Sequence, residues 1–365
     1  MALQCGIVGL ANSGKTTIFN CLSNTRGETS AYAFSSSKSN VGQIQVPDQR
    51  LQELARYQVT QKVIPTTVEI VDIPGLAKGA SKGEGVGNRF LADIRNTDAL
   101  IHVLRCFDDP SLPHMEGSVD PVRDIELVDF ELLVKDLELV ERKLQKVDKL
   151  SRIGEKGAKH GVEVLTIYKE HLEQLKPALT APVKEEEKEW VRDMQLLSMK
   201  PVLYVCNVDE QSASGGNHYV ERVRDFLSET DAQLLVIAGA LEAEIAELED
   251  SADREAFLED AGLTEPGVNK LIRSAYDLLN LKTFFTVGPK EIRAWTIKEG
   301  MTAPQAAGVI HSDLERGFIR AEVMKYTDFV TLGSEQAVKS AGKFHVEGKN
   351  YVVQDGDLLH IRFNV

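Results

Sequence analysis

Residues 9–17 read Gly9-Leu10-Ala11-Asn12-Ser13-Gly14-Lys15-Thr16-Thr17 and follow the apolar run Cys5-Gly6-Ile7-Val8. Gly, four residues, then Gly-Lys-Thr is the spacing of a phosphate-binding loop set between a strand and a helix. Gly9 and Gly14 let the backbone turn tightly enough for successive N–H groups to face phosphate oxygens, an approach that a Cβ obstructs. Lys15 would then reach the β- and γ-phosphates and the Thr16 hydroxyl a Mg²⁺. Ile18, Phe19 and Leu22 mark one face of the helix that starts here, and its N-terminal dipole adds to the anion site. A ligand-free Gly-rich turn is the plainer alternative, but Lys and Thr together in this context favour a nucleotide.

The 365-residue chain is long enough for two or three domains. Its 42% hydrophobic and 27% charged content describe a folded, globular protein. A net charge of −14 opposes general adhesion to nucleic acid or to anionic membrane, so any RNA contact must be local. Cys5, Cys21, Cys106 and Cys206 form no CxxC pair, a pattern expected of reduced, mostly buried thiols in a cytosol. The sequence shows neither a basic leader with a cleavage site nor eighteen consecutive apolar residues. A cytoplasmic protein without membrane association is therefore expected.

Residues 26–42 are rich in Ser and read as a loop. In nucleotide switches such a segment adds a hydroxyl to the Mg²⁺ shell, and Ser36 is the candidate; a solvated Ser-rich linker is the alternative. The β-branched run 65–71 reads as a strand and ends in Asp72-Ile73-Pro74-Gly75-Leu76. Strand-Asp-x-x-Gly is how P-loop nucleotidases hold Mg²⁺ through the Asp and touch the γ-phosphate with the Gly N–H. Where many GTPases place a water-orienting Gln, this chain has Leu76, so the attacking water must be positioned by another group. Residues 78–87 contain four glycines and read as a loop that changes with nucleotide state. Two histidines compete for the missing role. His102 alternates within the apolar strand 99–107 and fits a core position, whereas His114 lies in the loop beyond and is the candidate.

From Phe130 the apolar residues Leu133, Leu137, Val140, Leu144 and Val147 recur three and four apart. After a Gly- and Lys-rich turn the spacing resumes with Leu165, Tyr168, Leu172 and Leu175. Two antiparallel helices forming an inserted coiled coil explain this pattern, with a charged helix over 184–199 leading back. The buried strand 201–206 runs into Asn207-Val208-Asp209-Glu210. In GTPases the matching Asn-Lys-x-Asp ends on an Asp that accepts from guanine N1–H and its 2-amino group; Val208 and Glu210 depart from it, which weakens guanine selection and permits adenine. The strand at 234–237 leads into Ala238-Gly239-Ala240, the backbone loop that closes over the base. From Thr283 the chain is strand-rich, with one long helical stretch at 303–316, and reads as a separate small mixed domain.

Together these residues resemble the Obg-like ATPases of the YchF family, within the TRAFAC class of P-loop proteins. The similarity runs over the whole chain. It rests on Asp72-Ile-Pro-Gly-Leu-Ala-Lys-Gly-Ala-Ser-Lys-Gly-Glu-Gly, His102-Val-Leu-Arg-Cys-Phe, Asn207-Val-Asp-Glu, Glu242-Ala-Glu-Ile-Ala-Glu-Leu and the stretch from Arg293-Ala-Trp-Thr-Ile to Asp355-Gly-Asp. The resemblance implies an α/β fold: a doubly wound, mostly parallel G-type domain (1–122 and 201–280), an inserted antiparallel coiled coil (123–200) and a C-terminal β-grasp TGS domain (281–365). It further implies preference for ATP over GTP, Mg²⁺ dependence, and association with ribosomes through the large subunit or the 70S-type particle. By position it assigns phosphate contacts to residues 12–17, Mg²⁺ to Thr16 and Ser36, adenine to Asn207 and Val208, and K⁺ to Asn12. Leu76 matches the hydrophobic replacement for Gln, and His114 the family's catalytic loop histidine. Ala11 stands where Pro is usual, and 34–40 departs from the relatives' Thr followed by Ile-Glu-Pro-Asn, although Ser36 keeps a hydroxyl.

The expected activity is slow hydrolysis of ATP to ADP and phosphate by a nucleotide-dependent switch, with Lys15, Mg²⁺ and K⁺ neutralising developing phosphate charge and His114 positioning the water. A GTPase of the same fold is one rival. The other is a ribosome- or protein-binding module with a structural nucleotide. RNA contact through the TGS domain and the coiled coil would use local clusters such as Arg142-Lys143 or 156–159.

Overall fold

The computed structural model describes residues 3–24, 40–58, 60–75 and 86–364. Ser36, Leu76 and residues 78–85 lie outside them. Among the described residues the strands are, in chain order, β1 (Gln4–Val8), β2 (Asn40–Gln45), β3 (Lys62–Ile64), β4 (Thr67–Asp72), β5 (Ala99–Arg105), β6 (Val202–Asn207), β7 (Gln233–Ile237), β8 (Leu281–Val287), β9 (Glu291–Lys298), β10 (Phe318–Lys325), β11 (His345–Glu347) and β12 (Asp357–Phe363). The chain divides into two compact units, Met1–Gly42 with Glu69–Leu271 and Gln43–Val68 with Ile272–Val365.

The first unit is built on a sheet of order β2-β4-β1-β5-β6-β7. β1 pairs in parallel with both β4 and β5, β5 with β6, and β6 with β7. Every residue of β5 is buried, as expected of a strand covered on both faces. This is the doubly wound arrangement expected from the sequence. Strand order reverses at β1, and the crevice at the carboxyl ends of the strands beside such a reversal is where open α/β sheets bind ligands.

The helix α3 (Val86–Arg95) precedes β5, and two further helices form the insertion, α4 (Pro121–Arg152) and α5 (Ala158–Glu173). Asp120 caps α4, and Pro121 occupies its first turn, where a missing N–H costs nothing. Ile125, Val128 and Leu132 bury the first turns of α4 against the sheet's own clusters. From Leu133 the helix turns to α5: Val140 and Val147 pack with Val164, Leu165, Tyr168 and Leu172. The seam is therefore shorter than its sequence spacing suggests. Phe130 is 48% exposed because that part of α4 serves the sheet, and Leu175 is 63% exposed. Leu175 adopts φ 58° just beyond the end of α5, so the chain has already left the helix. Nor is 184–199 one helix. It forms a 3-10 turn (Glu185–Lys188), one helical turn (Glu189–Arg192) and a second 3-10 turn (Leu197–Met199), with Gln195 at φ 49° breaking the run. Buried Asp136 of α4 anchors the last turn by accepting from the Leu197 and Ser198 N–H groups at 2.8 and 2.7 Å.

The second unit has a mixed sheet of order β11-β10-β12-β8-β9-β3. β8 and β9 pair antiparallel, as do β10 and β12, and β12 runs parallel to β8. Strand alternation separates two faces. Phe284, Val323 and Leu359 pack with Ala303, Ala306 and Ala307 of the helix Ala303–Ile310, whereas Phe285, Met324 and Leu358 pack with Leu51 and Leu54 of α2 (Gln49–Tyr57). A helix across a mixed sheet is the expected β-grasp layout. The compact units are divided differently from the sequence boundaries: 43–68 and 272–280, assigned by sequence to the nucleotide-binding part, fold with the C-terminal residues, and the insertion stays within the first unit. Within 43–68, α2 fills the core of the C-terminal residues and β3 pairs with β9. Asp355 joins these segments, accepting from Thr283 N–H at 2.8 Å and from Arg50 Nη1 at 2.6 Å.

Candidate nucleotide site

The candidate residues of the first unit converge on the carboxyl ends of β1, β4, β6 and β7. β1 leads into the loop 9–14 and α1 (Lys15–Asn24). Gly9 adopts φ 147° and Gly14 φ 92°, where a Cβ would also strike the Val103 carbonyl oxygen and the Asn207 amide respectively. These glycines are thus required by both backbone angle and space. Lys15 is buried and its Nζ donates to the Leu10 carbonyl at 2.7 Å, curling over the loop. Burial lowers its pKa to about 8, against the opposing pull of Asp72. A side chain at Gly75 would press on Lys15 Nζ.

Thr16 Oγ1 lies 3.4 Å from Asp72 Oδ2, so the two expected Mg²⁺ ligands face each other across α1 and β4. Among the described residues no group of three or more His, Cys, Asp or Glu could hold a metal. A hydroxyl and one carboxylate nevertheless fit Mg²⁺, which takes hard oxygen donors, keeps several waters and shares phosphate oxygens with its substrate.

A cavity of about 990 Å³ opens beside these groups, lined at the phosphate end by Asn12, Gly14, Lys15, Thr16 and Thr17. Its other end is lined by Val208, Glu210, Gly239 and Ala240. Ser13 is buried beneath the loop, with its hydroxyl unpaired among the described residues. Asn12, at φ 62°, donates from Nδ2 to the Pro113 carbonyl at 3.0 Å, which ties the phosphate loop to the segment carrying His114.

Asn207 has a structural role that its motif does not announce. Its amide is 5% exposed, donates to the Ser13 carbonyl at 2.9 Å and accepts from Gly239 N–H at 2.9 Å. Asn207 therefore joins the phosphate loop to the 238–240 loop, while its second Nδ2 hydrogen and second Oδ1 lone pair carry no bond among these contacts. The Val208 side chain packs mostly into the core below, and its N–H donates to the Ile237 carbonyl. Glu210 is exposed at the start of a 3-10 turn capped by Asp209, which accepts from Ser212 N–H at 3.1 Å. Ala238 precedes the helix Gly239–Glu247 without a side-chain capping bond.

His102 is a core residue, as its alternation suggests: it is buried beside Tyr204, and desolvation lowers its pKa to about 3. His114 does not face the cavity. Its side chain is 3% exposed, with Nε2 3.0 Å from Asp124 Oδ2. Nδ1 accepts from Glu116 N–H at 3.2 Å and faces Arg123 Nη2 at 3.4 Å. A backbone N–H can only donate, so Nδ1 is bare and the ring proton sits on Nε2. Burial raises the Asp124 pKa, while His114 and Arg123 pull it down.

Sequence reasoning missed Arg105. Buried at the end of β5, it donates to the carbonyls of Phe107, Asp109 and Leu112 at 3.2, 3.1 and 2.8 Å, and so shapes the loop whose Phe107, Asp108 and Leu112 line the cavity. A permanent charge closing a strand that is apolar apart from His102 is the signal that could have marked it.

The family model described as "50S ribosome-binding GTPase" matches residues 4–156, and the YchF-GTPase C-terminal model, described as "Protein of unknown function", matches 281–364. The chain is 47% identical to the "Ribosome-binding ATPase YchF" of Bacillus subtilis over 367 residues, covering all of both chains. It is 45% identical, again over the full length of both, to the proteins of that name from Haemophilus influenzae and Escherichia coli O157:H7. The solved YchF GTPase of Schizosaccharomyces pombe superposes with a TM-score of 0.88 at 33% identity, over 99% of this chain and 97% of that one. With the phosphate loop, the Asp72 strand end and the altered base motif all in register on one sheet, this full-length likeness places the chain in the YchF family of P-loop nucleotidases.

Proposed function

We propose that this protein is a cytoplasmic ribosome-binding ATPase that hydrolyses ATP to ADP and phosphate and acts as a nucleotide-dependent switch. The observation that carries the reading is a nucleotide-sized cavity lined by Lys15 and Thr16, with Asp72 against the Thr16 hydroxyl. Lys15 and the N-terminus of α1 bind the β- and γ-phosphates, Thr16, Asp72 and Ser36 hold Mg²⁺, and Gly75 N–H meets the γ-phosphate. Bound Mg²⁺ supplies charge neutralisation on the phosphates. Asn12 would hold K⁺ through its amide oxygen, adding a second positive charge beside the phosphates. Val208 and Glu210 remove the Lys and Asp that favour guanine, and the backbone of 238–240 covers the adenine. His114 positions the attacking water, which requires it to leave Asp124.

The boundaries 1–122 with 201–280, 123–200 and 281–365 describe functional parts in this account: nucleotide handling, a projecting hairpin, and a TGS domain. RNA contact is local, through the TGS domain and the hairpin. Lys146, Lys149, Lys156 and Lys159 near the apex are exposed and have no carboxylate partner among the described residues. No helix among the described residues is long and apolar enough to cross a membrane.

The test is phosphate release from ATP at multiple turnover, with and without purified ribosomes, for the wild type and for Lys15→Ala. Turnover that rises with ribosomes and disappears in Lys15→Ala is expected. A rate indifferent to both would leave the nucleotide a structural role.

A further inference from the structure

The groups around His114 come from two directions. The ring lies in the loop after β5, while Asp124 and Arg123 belong to the first turn of α4. Both ring nitrogens are engaged: Nε2–H points to Asp124 Oδ2 at 3.0 Å, and bare Nδ1 accepts from Glu116 N–H at 3.2 Å. Arg123 closes the set. Its Nη2 lies 3.4 Å from His114 Nδ1 and 3.2 Å from Asp124 Oδ1, and it donates to the Ser118 carbonyl at 2.6 Å. The neighbouring Asp120 caps α4 and pairs with Arg222 at 3.0 Å, so the turn carrying this set is itself held. A ring whose two nitrogens are satisfied, and whose side chain is 3% exposed, cannot orient a water in this arrangement.

We propose that Asp124 is a positioning residue that latches His114 in a resting state, and that turnover is limited by release of His114 from the first turn of α4. The inference rests on His114 as the water-positioning residue. The second tie on the same segment, Asn12 Nδ2 to the Pro113 carbonyl, comes from the phosphate loop itself. The loop is thus held from two sides, and a ligand that draws the Asn12 amide away removes one of them. The charge-assisted Asp124 bond remains as the larger barrier.

The experiment compares kcat and KM for ATP in the wild type, His114→Ala, Asp124→Ala, Asp124→Asn and the double variant Asp124→Ala/His114→Ala, with urea unfolding as a check on folding. Asp124→Ala is expected to raise kcat about tenfold with KM unchanged, the size set by freeing one group from a hydrogen bond to a charge. The gain should vanish when His114 is also replaced. An unchanged or lower kcat in folded Asp124→Ala overturns the latch, and a lower one would mean that Asp124 orients His114 for the reaction. If His114→Ala turns over at the wild-type rate, the underlying role of His114 fails and the latch falls with it. Imidazole ¹⁵N spectra of the intact wild type give a reading independent of these variants. They should show His114 as the Nε2–H tautomer with a slowly exchanging proton, and a rapidly exchanging one overturns the proposal.

Discussion

Replacing Asn207 by Ala should separate the phosphate loop from the base loop. The amide donates to the Ser13 carbonyl and accepts from Gly239 N–H, each at 2.9 Å, at a site that is 5% exposed. Alanine leaves both backbone groups unpaired, at about 1–3 kcal/mol each when water cannot reach them. The cavity beside them admits some solvent, so the expected loss is about 2–4 kcal/mol rather than the full sum. Gly14 loses the neighbour that fixes it, so ATP affinity should fall by roughly tenfold or more, since every 1.4 kcal/mol of misplaced phosphate contact is a factor of ten. Asn207→Asp keeps the acceptor for Gly239 but faces the Ser13 carbonyl with a second acceptor, and should bind nucleotide no better than the alanine variant. Urea unfolding with calorimetric titration measures both quantities. A variant as stable as wild type, with unchanged ATP affinity, would refute the claim that this amide joins the two loops.

Proton linkage tests Lys15. Its pKa of about 8 in the free protein must rise when phosphates hold the ammonium charged, so ATP binding should take up protons near pH 8.5. Affinity is full below about 8 and is lost as pH rises beyond it, while titrations in two buffers of different ionisation enthalpy that show no uptake would contradict the assignment. In the hairpin, the Tyr168 hydroxyl is buried without a partner among the described residues, and desolvation pushes its pKa up to about 12. Tyr168→Phe should therefore be neutral or stabilising by about 0.5–1.5 kcal/mol in urea unfolding, and a clear loss would mean that the hydroxyl is satisfied.

Much of the site was legible in the sequence because it is made of backbone and of residues adjacent in the chain. Gly9, Gly14, Lys15 and Thr16 specify their own loop and helix start, and Asp72 follows from the strand that precedes it. What resisted reading depends on partners distant in sequence. The composition of the His114 loop does not reveal that α4 supplies Asp124 and Arg123 to hold the ring. The motif around Asn207 suggests a base contact and does not reveal that both neighbouring loops also bond to its amide. Heptad spacing carried the hairpin seam one step too far at each end, because periodicity marks an apolar face without saying whether a sheet or a helix covers it. The same limit hid α2, whose Leu51 and Leu54 are ordinary helix-face residues until β8 and β12 provide their core.

Base choice is the most direct test of the account. Nucleotide-free protein is titrated calorimetrically with ATP and with GTP in Mg²⁺ and K⁺, and both nucleotides are then followed in a turnover assay. Tighter binding and faster turnover of ATP are predicted. Preference for GTP in both would show that Val208 and Glu210 leave guanine recognition intact, and would contradict the assignment of this protein as an ATPase.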